Sequence, residues 1–370
     1  MKDYLSLITK FLFLFLLLDR TTANAQGHSS FKVGVIQSLT GIAAEDGKTV
    51  VRALELAKQD LASKGVAVEL LIEDDRSSPK DAVTAYRKLR AQGIEIFIAA
   101  TWDFTTNALM PLVGQDKVVL FNTSTLPESI RFEQAQGHAF TNAMSARSEA
   151  RPFEAFLRQH SSTAAVIVYA NNSWGETQRR IYRQIAESSG VKILSEYSSQ
   201  GFDENDWKNI LPAIKASAPN LVLLLINKND LEMFLRRASE IGLSSRLFAS
   251  KNAFDALRVT KQRQLYEELC FTYPLEQLQS HPEFNSRYQS EYGEQPRIYA
   301  DTSYDALMIL QQASLLAQAS LKENLAQVEL EGLVGPYKFS DRNSFSSGQA
   351  SLICVENGLA VALRLGASSR

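Results

Sequence analysis

Four histidines, two cysteines and one dense run of carboxylates are the residues of this chain whose chemistry is most conspicuous, and their spacing argues against most of what they could do. His28, His138, His160 and His281 stand far apart, and none has a second ligand at the helical spacing a zinc site uses. No G-x-S-x-G, H-E-x-x-H, P-loop or G-x-G-x-x-G pattern occurs, so the nucleophile elbow, the zinc-protease helix and two kinds of nucleotide cradle are missing. No enzyme activity and no cofactor or metal are expected. The run Glu73-Asp74-Asp75 ends an apolar stretch just before a helix start, where a solvated strand-end cluster is a simpler reading than a cation site. Cys270 and Cys354 are too few for a disulfide framework. Both lie in apolar, strand-like runs that suit a free buried thiol, while an oxidising compartment would permit one bridge.

The elements that must position any site alternate along the chain. From Phe31, short β-rich runs alternate with amphipathic helical stretches, the pattern of a parallel sheet with helices on both faces. Residues 32–36 read as a strand, and Val50, Leu54, Ala57 and Leu61 then mark one helical face. Ser78-Pro79-Lys80-Asp81 supplies a cap, a proline at the first helical position and a carboxylate at the third, predicting a helix to about residue 91. Strands follow at 94–100 and 118–121. The rhythm restarts at Ala164 and continues to Ile241, so two similar β/α halves are expected, with 140–148 as a crossing between them. The chain ends in two predicted strands, near 337–339 and 352–355.

At 370 residues the sequence exceeds one ordinary core and calls for two domains or one large α/β unit. Its 45% hydrophobic and 22% charged content matches a globular protein and excludes a disordered or polytopic membrane chain. Lys and Arg total 39 against 41 Asp and Glu, which leaves no basic excess for a nucleic acid. The first residues carry Lys2 and Lys10, an apolar run over 11–18 and then Ala23-Asn24-Ala25, the order of a secretory signal cleaved after Ala25. That run is well short of the ~20 apolar residues of a spanning helix. Residues 1–25 are therefore read as a signal peptide, and the location as the periplasm.

The order of short motifs resembles the periplasmic leucine/isoleucine/valine-binding protein family. Those motifs are Phe31 to Ile36 leading to Leu39-Thr40-Gly41 and Asp46-Gly47, Glu73-Asp74-Asp75 before Pro79, Asn171 to Gly175, Ile241-Gly242-Leu243 and Tyr304-Asp305-Ala306. The resemblance runs from about Phe31 to Gly358. It implies a two-lobed type I periplasmic binding fold, α/β, each lobe a mostly parallel sheet flanked by helices, with three hinge crossings. Lobe one would hold 31–141 plus 275–334, and lobe two 150–272 plus 335–370. The crossings would lie near 142–149, 272–275 and 334–336. It also implies a monomer that closes on a small organic solute and delivers it to the permease of an ABC transporter. A ligand sensor handing its closed state to a receptor is the alternative on the same fold. The family order puts Cys270 and Cys354 on adjoining strands of lobe two, close enough for a disulfide.

Residue by residue, the implied ligand-binding set is Asp46, Trp102, Asp103, Phe104, Thr123, Thr125, Trp174, Asn227 and Asn252. Two of these depart from the family pattern. Asp103 stands where a hydroxyl at a helix N-terminus would receive the ligand carboxylate, and a carboxylate there repels it or caps the N–H groups itself. Asn252 stands where an acid would face the ligand ammonium, and an amide gives that cation no counter-charge. The carbonyl near Thr123 and the hydroxyl of Thr125 keep the rest of the amino-acid half-site. Trp102, Phe104 and Trp174 would stack on a flat or apolar ligand, and Asp46 and Asn227 would add polar contacts. The expected solute is therefore not a standard branched-chain amino acid.

Overall fold

Strand β1 (Phe31–Gln37) is buried on both faces because a helix pair covers each side of it, and the first half of the chain is built outward from this strand. The computed structural model describes residues 31–201, 204–274, 281–316, 320–339, 345–346 and 350–363. The signal peptide read from sequence lies outside the described residues.

The first sheet runs β2 (Val68–Asp74), β1, β3 (Ile96–Ala99), β4 (Val119–Asn122), β5 (Ala139–Thr141), all parallel. Helix α1 (Ala44–Ser63) lays Val50, Leu54, Ala57 and Leu61 on one face of it, against Val33, Val35 and Ile98. Helices α2 (Pro79–Ala91) and α3 (Asp103–Asp116) cover the other face with Tyr86, Leu89, Met110 and Val113. The Ser78 hydroxyl accepts the Asp81 N–H, so α2 starts where its cap and proline predict.

Short helices α4 (Ala146–Ala150) and α5 (Pro152–His160) lead to the second sheet. Its order is β15 (Leu359–Leu363), β14 (Ser351–Glu356), β10 (Cys270–Tyr273), β9 (Arg246–Ala249), β8 (Leu221–Leu225), β6 (Ala164–Ala170), β7 (Lys192–Ser199). Strand β14 runs antiparallel to both its neighbours, β10 and β15, and the remaining pairings are parallel. Helices α6 (Ser173–Ser188), α7 (Glu204–Ser217), α8 (Lys228–Glu240) and α9 (Asn252–Val259) sheathe this sheet. Alternate residues of β8 divide between the two cores: Val222 and Leu224 pack under α7 and α8, while Leu221, Leu223 and Leu225 face α5 and α6.

The chain then returns to the first half. Helix α10 (Pro282–Tyr292) docks on α1, where the Tyr292 hydroxyl donates to the Arg52 carbonyl and Arg287 pairs with Asp60. Helix α11 (Ala300–Leu315) packs along α1, and α12 (Leu321–Leu325) follows. A small third sheet joins β11 (Glu329–Gly332), β12 (Gly335–Phe339) and β13 (Phe345–Ser346).

Two expectations change here. Residues 335–339, assigned from sequence to lobe two, belong with lobe one: β12 folds back on β11 through the turn at Leu333-Val334, and Tyr337 is buried with α11 in the first core. The third passage between the sheets therefore falls after β13 and before β14, not at 334–336. The segment expected as a crossing from residue 140 also begins inside a strand, because Phe140 is buried in β5 and pairs with Phe121. Among the described residues, no helix is long and apolar enough to cross a membrane.

Candidate functional site

The start of α1 and the start of α8 meet in the cleft between the halves, where Asp46 of the first reaches Lys228 of the second. The first turn of α1 lies hard against the end of β1: a Cβ at Gly47 would sit 2.1 Å from the Ser38 carbonyl oxygen. The first turn of α6 repeats this in the second half, with Gly175 equally close to Ala170. Asp46, next to Gly47, is thereby aimed into the cleft.

Asp46 uses both carboxylate oxygens there. Oδ2 accepts the Trp102 indole N–H at 3.0 Å, and Oδ1 lies 3.3 Å from Nζ of Lys228, which belongs to the opposite half. Trp102, expected to stack on a ligand, instead spends its polar edge on Asp46 and meets Phe104 edge to face, ring centroids 5.9 Å apart. Phe104 is exposed. Asp103 begins α3; burial pushes its carboxyl above the usual range, while hydrogen bonds from the Phe104 N–H and its own N–H pull the other way. Asp103 is the first helical residue and Trp102 the N-cap, so the aspartate does not stand at the cap position.

The amino-acid half-site residues already hold hydrogen-bond partners within lobe one. The Thr123 carbonyl accepts the Thr302 hydroxyl at 2.8 Å, and the Thr123 hydroxyl lies 2.9 Å from that of Ser303. Thr125 is buried with its hydroxyl 3.2 Å from Thr106, and its N–H donates to Asn122. On the other side, Asn252 donates to the Ile226 carbonyl at 3.1 Å and so ties the end of β8 to the start of α9. Asn227 caps α8 by position, and its amide donates to Asp230. Trp174 lies in the first turn of α6, half-buried against the second half's own core, and does not line the cavity described next.

That cavity, about 40 Å³, lies between residues of both halves, beside the passages that follow β5 and β10. Ala143, Tyr273 and Val334 form part of its wall, with Thr123, Lys251 and Tyr299. Sequence reasoning missed Lys251, Glu149, Tyr299 and Lys228 as cleft residues. Lys251 pairs with Glu149 at 3.2 Å and stands 5.3 Å from the centre of the Tyr299 ring, across the cleft. Burial, with the charges of Asp46, Glu149, Asp255 and Asp103, holds the Tyr299 hydroxyl well above its ordinary range. Lys228 carried one signal in the sequence: it opens a helix, where the dipole disfavours a cation.

The carboxylate run Glu73-Asp74-Asp75 is structural. Asp74 accepts the Leu39 N–H and the Thr40 hydroxyl, Asp75 accepts the Ser38 hydroxyl at 2.6 Å, and Glu73 pairs with Lys88. Among the described residues, no three His, Cys, Asp or Glu side chains converge as a metal site. Cys270 and Cys354 face each other across β10 and β14, and their sulfurs are joined.

Comparison with known proteins matches this architecture. A search of curated sequences returns no match. A leucine complex of an ABC transporter substrate-binding protein from Desulfitobacterium hafniense superposes with a TM-score of 0.73 at 21% identity, covering 90% of this chain and 100% of that one. The isoleucine complex of LivJ from Streptococcus pneumoniae gives 0.77 at 17% identity, over 90% of this chain and 98% of the other. A benzoate complex of a solute-binding protein from Rhodopseudomonas palustris gives 0.78 at 16% identity, over 90% and 96%. The family model described as periplasmic binding protein matches residues 30–358, and the chain belongs to that family, with the two-lobed type I fold of the leucine-binding proteins.

Proposed function

We propose that the protein is an exported solute-binding component of an ABC importer, working in the periplasm as a monomer. It closes two lobes on a small organic solute other than leucine, isoleucine or valine and presents that solute to the permease. The observation that supports the choice of solute is that the groups read as the amino-acid half-site already hold partners within their own lobes. The Thr123 carbonyl is taken by Thr302, the Thr125 hydroxyl by Thr106 and the Asn252 amide by Ile226. Asp103 adds a carboxylate at the helix start where the ligand carboxylate would dock. Relatives of the same fold hold ligands as different as isoleucine and benzoate, so the scaffold does not impose an amino acid. Neutral, cationic and aromatic solutes that can lie against Phe104 and Trp102 suit this cleft. Of the set read from sequence, Asp46, Trp102 and Phe104 are the residues this reading keeps at the cleft, with Lys228, Lys251 and Tyr299 added.

Closure needs only a solute that contacts both lobes and so binds the closed state better than the open one. Thermal unfolding against a panel of solutes tests the reading. A true ligand at 100 times its dissociation constant stabilises by about 2.7 kcal/mol, whereas leucine, isoleucine and valine should leave the melting temperature where it is. Micromolar binding of leucine in calorimetry would overturn it. Native mass spectrometry of freshly purified protein would identify a solute carried through purification.

A further inference from the structure

We infer that Asp46 is a resident carboxylate: it occupies an anion site formed by Lys228 and the Trp102 indole, closes the cleft without an acidic guest, and selects against acidic solutes. This rests on the reading that the two halves are lobes closing on a solute. It adds which class of solute the cleft refuses and which residue refuses it.

The geometry is that of a bound carboxylate. Each oxygen has its own donor, Trp102 Nε1 at 3.0 Å and Lys228 Nζ at 3.3 Å, and the donors come from different lobes. The carboxylate and the ammonium are largely withdrawn from water, their side chains 14% and 20% exposed. Trp102 shares a lobe with Asp46, so that hydrogen bond survives opening and holds the carboxylate ready. The contact with Lys228 exists only when the lobes meet.

Lys228 is an expensive residue for its own lobe. It is the first residue of α8, at the positive end of the helix dipole, where a cation is disfavoured. The buried Asp255 of α9 feels its charge, but the carboxylate in contact with it is Asp46, on the other lobe. Asp46 sits well for the same reason reversed, an acid in the first turn of α1. Each lobe therefore presents half of an ion pair, and the cleft-facing cation meets an anion the chain supplies. A solute carboxylate would have to displace Asp46 from both donors and leave it desolvated beside a like charge.

Removing the resident carboxylate should create a vacancy of defined chemistry. Asp46→Ala is expected to bind benzoate at least about tenfold more tightly than the wild type in calorimetry, since a charge-assisted pair of donors is freed beside aromatic rings. Lys228→Met introduced into that variant should abolish the gain. Lys228→Met alone should enlarge the solute-free particle in small-angle scattering, because closure loses its one direct ion pair to Asp46 and keeps only contacts such as Lys251 over Tyr299. It also serves as the test if Asp46→Ala does not fold. A folded Asp46→Ala that binds benzoate no better than the wild type, a gain that persists without Lys228, or an unchanged particle size in Lys228→Met would each overturn the inference. Leucine binding by the wild type would instead sink the proposed solute class, and that measurement is independent of the benzoate gain.

Discussion

Glu149 and Lys251 form an ion pair 3.2 Å long at the floor of the cleft, with side chains only 3% and 13% exposed. One comes from the short helix entering the second lobe and the other from the end of β9. A pair this dry is costly to half-remove, because the surviving charge is left without compensation. Glu149→Gln should destabilise by about 3–5 kcal/mol in urea unfolding. Adding Lys251→Met should recover much of that loss, and a double-mutant cycle showing strict additivity would contradict the pairing.

Asp305 accepts the Leu333 N–H with both oxygens, at 3.0 and 2.9 Å, and pins the β11–β12 turn to α11. Burial raises its carboxyl to about 7, so the folded protein keeps a proton that the unfolded chain releases near 3.8. The stability this adds is complete below about pH 4 and is lost as the pH climbs through 7. The stability difference between wild type and Asp305→Asn should therefore shrink from pH 5 to pH 8, by no more than about 1.4 kcal/mol per pH unit. Asp255, raised by burial to about 6, titrates in the same sense. Chemical denaturation at five pH values measures the slope, and a constant difference would refute the assignment.

The bridge between Cys270 and Cys354 spans 84 residues. By loop-closure entropy it should stabilise by about 4 to 5 kcal/mol. Denatured, unreduced protein should titrate no free thiol, and dithiothreitol should lower the melting temperature of the wild type while leaving a Cys270→Ser, Cys354→Ser variant unmoved.

Gly47 and Gly175 test whether the two lobes share one construction. An added methyl at either would fall within 2.1 Å of a backbone carbonyl oxygen, which cannot turn aside. Gly47→Ala and Gly175→Ala should each destabilise by about 1–3 kcal/mol or more, although alanine is the better helix former. At Gly65, where an added methyl meets nothing, the cost of alanine is set by the positive φ of 79° alone.

Periodicity and caps made most of the scaffold legible. Helix α10 runs over 282–292 as its proline start and closing glycine predict, and α2 begins at its capped proline. Strand β9 escaped because its four residues begin with an exposed arginine and show no alternation, and β5 because three residues carry no period at all. The third passage was misplaced because the hairpin at Leu333-Val334 is fixed by Tyr337 entering a core made of residues far earlier in the chain. The site was harder still. The sequence nominated Asp46 and Asn227, but the partner of Asp46 lies 182 residues away, and only the meeting of the lobes brings Lys228 to it. Trp102 was read from sequence as a stacking ring and not as a donor to Asp46, since ring stacking and indole hydrogen bonding require the same residue type.

The chain leaves lobe two at β10, builds α10, α11 and the small sheet on lobe one, and returns to lobe two at β14. Because the bridged cysteines sit on those two strands, they close a covalent ring threaded through both lobes. Everything that the last third of the chain adds to lobe one is captive in that ring. A single protease cut between Pro274 and Ala350 would leave one molecule of unchanged mass apart from a water, running intact on a non-reducing gel and falling into two pieces only when the bridge is reduced.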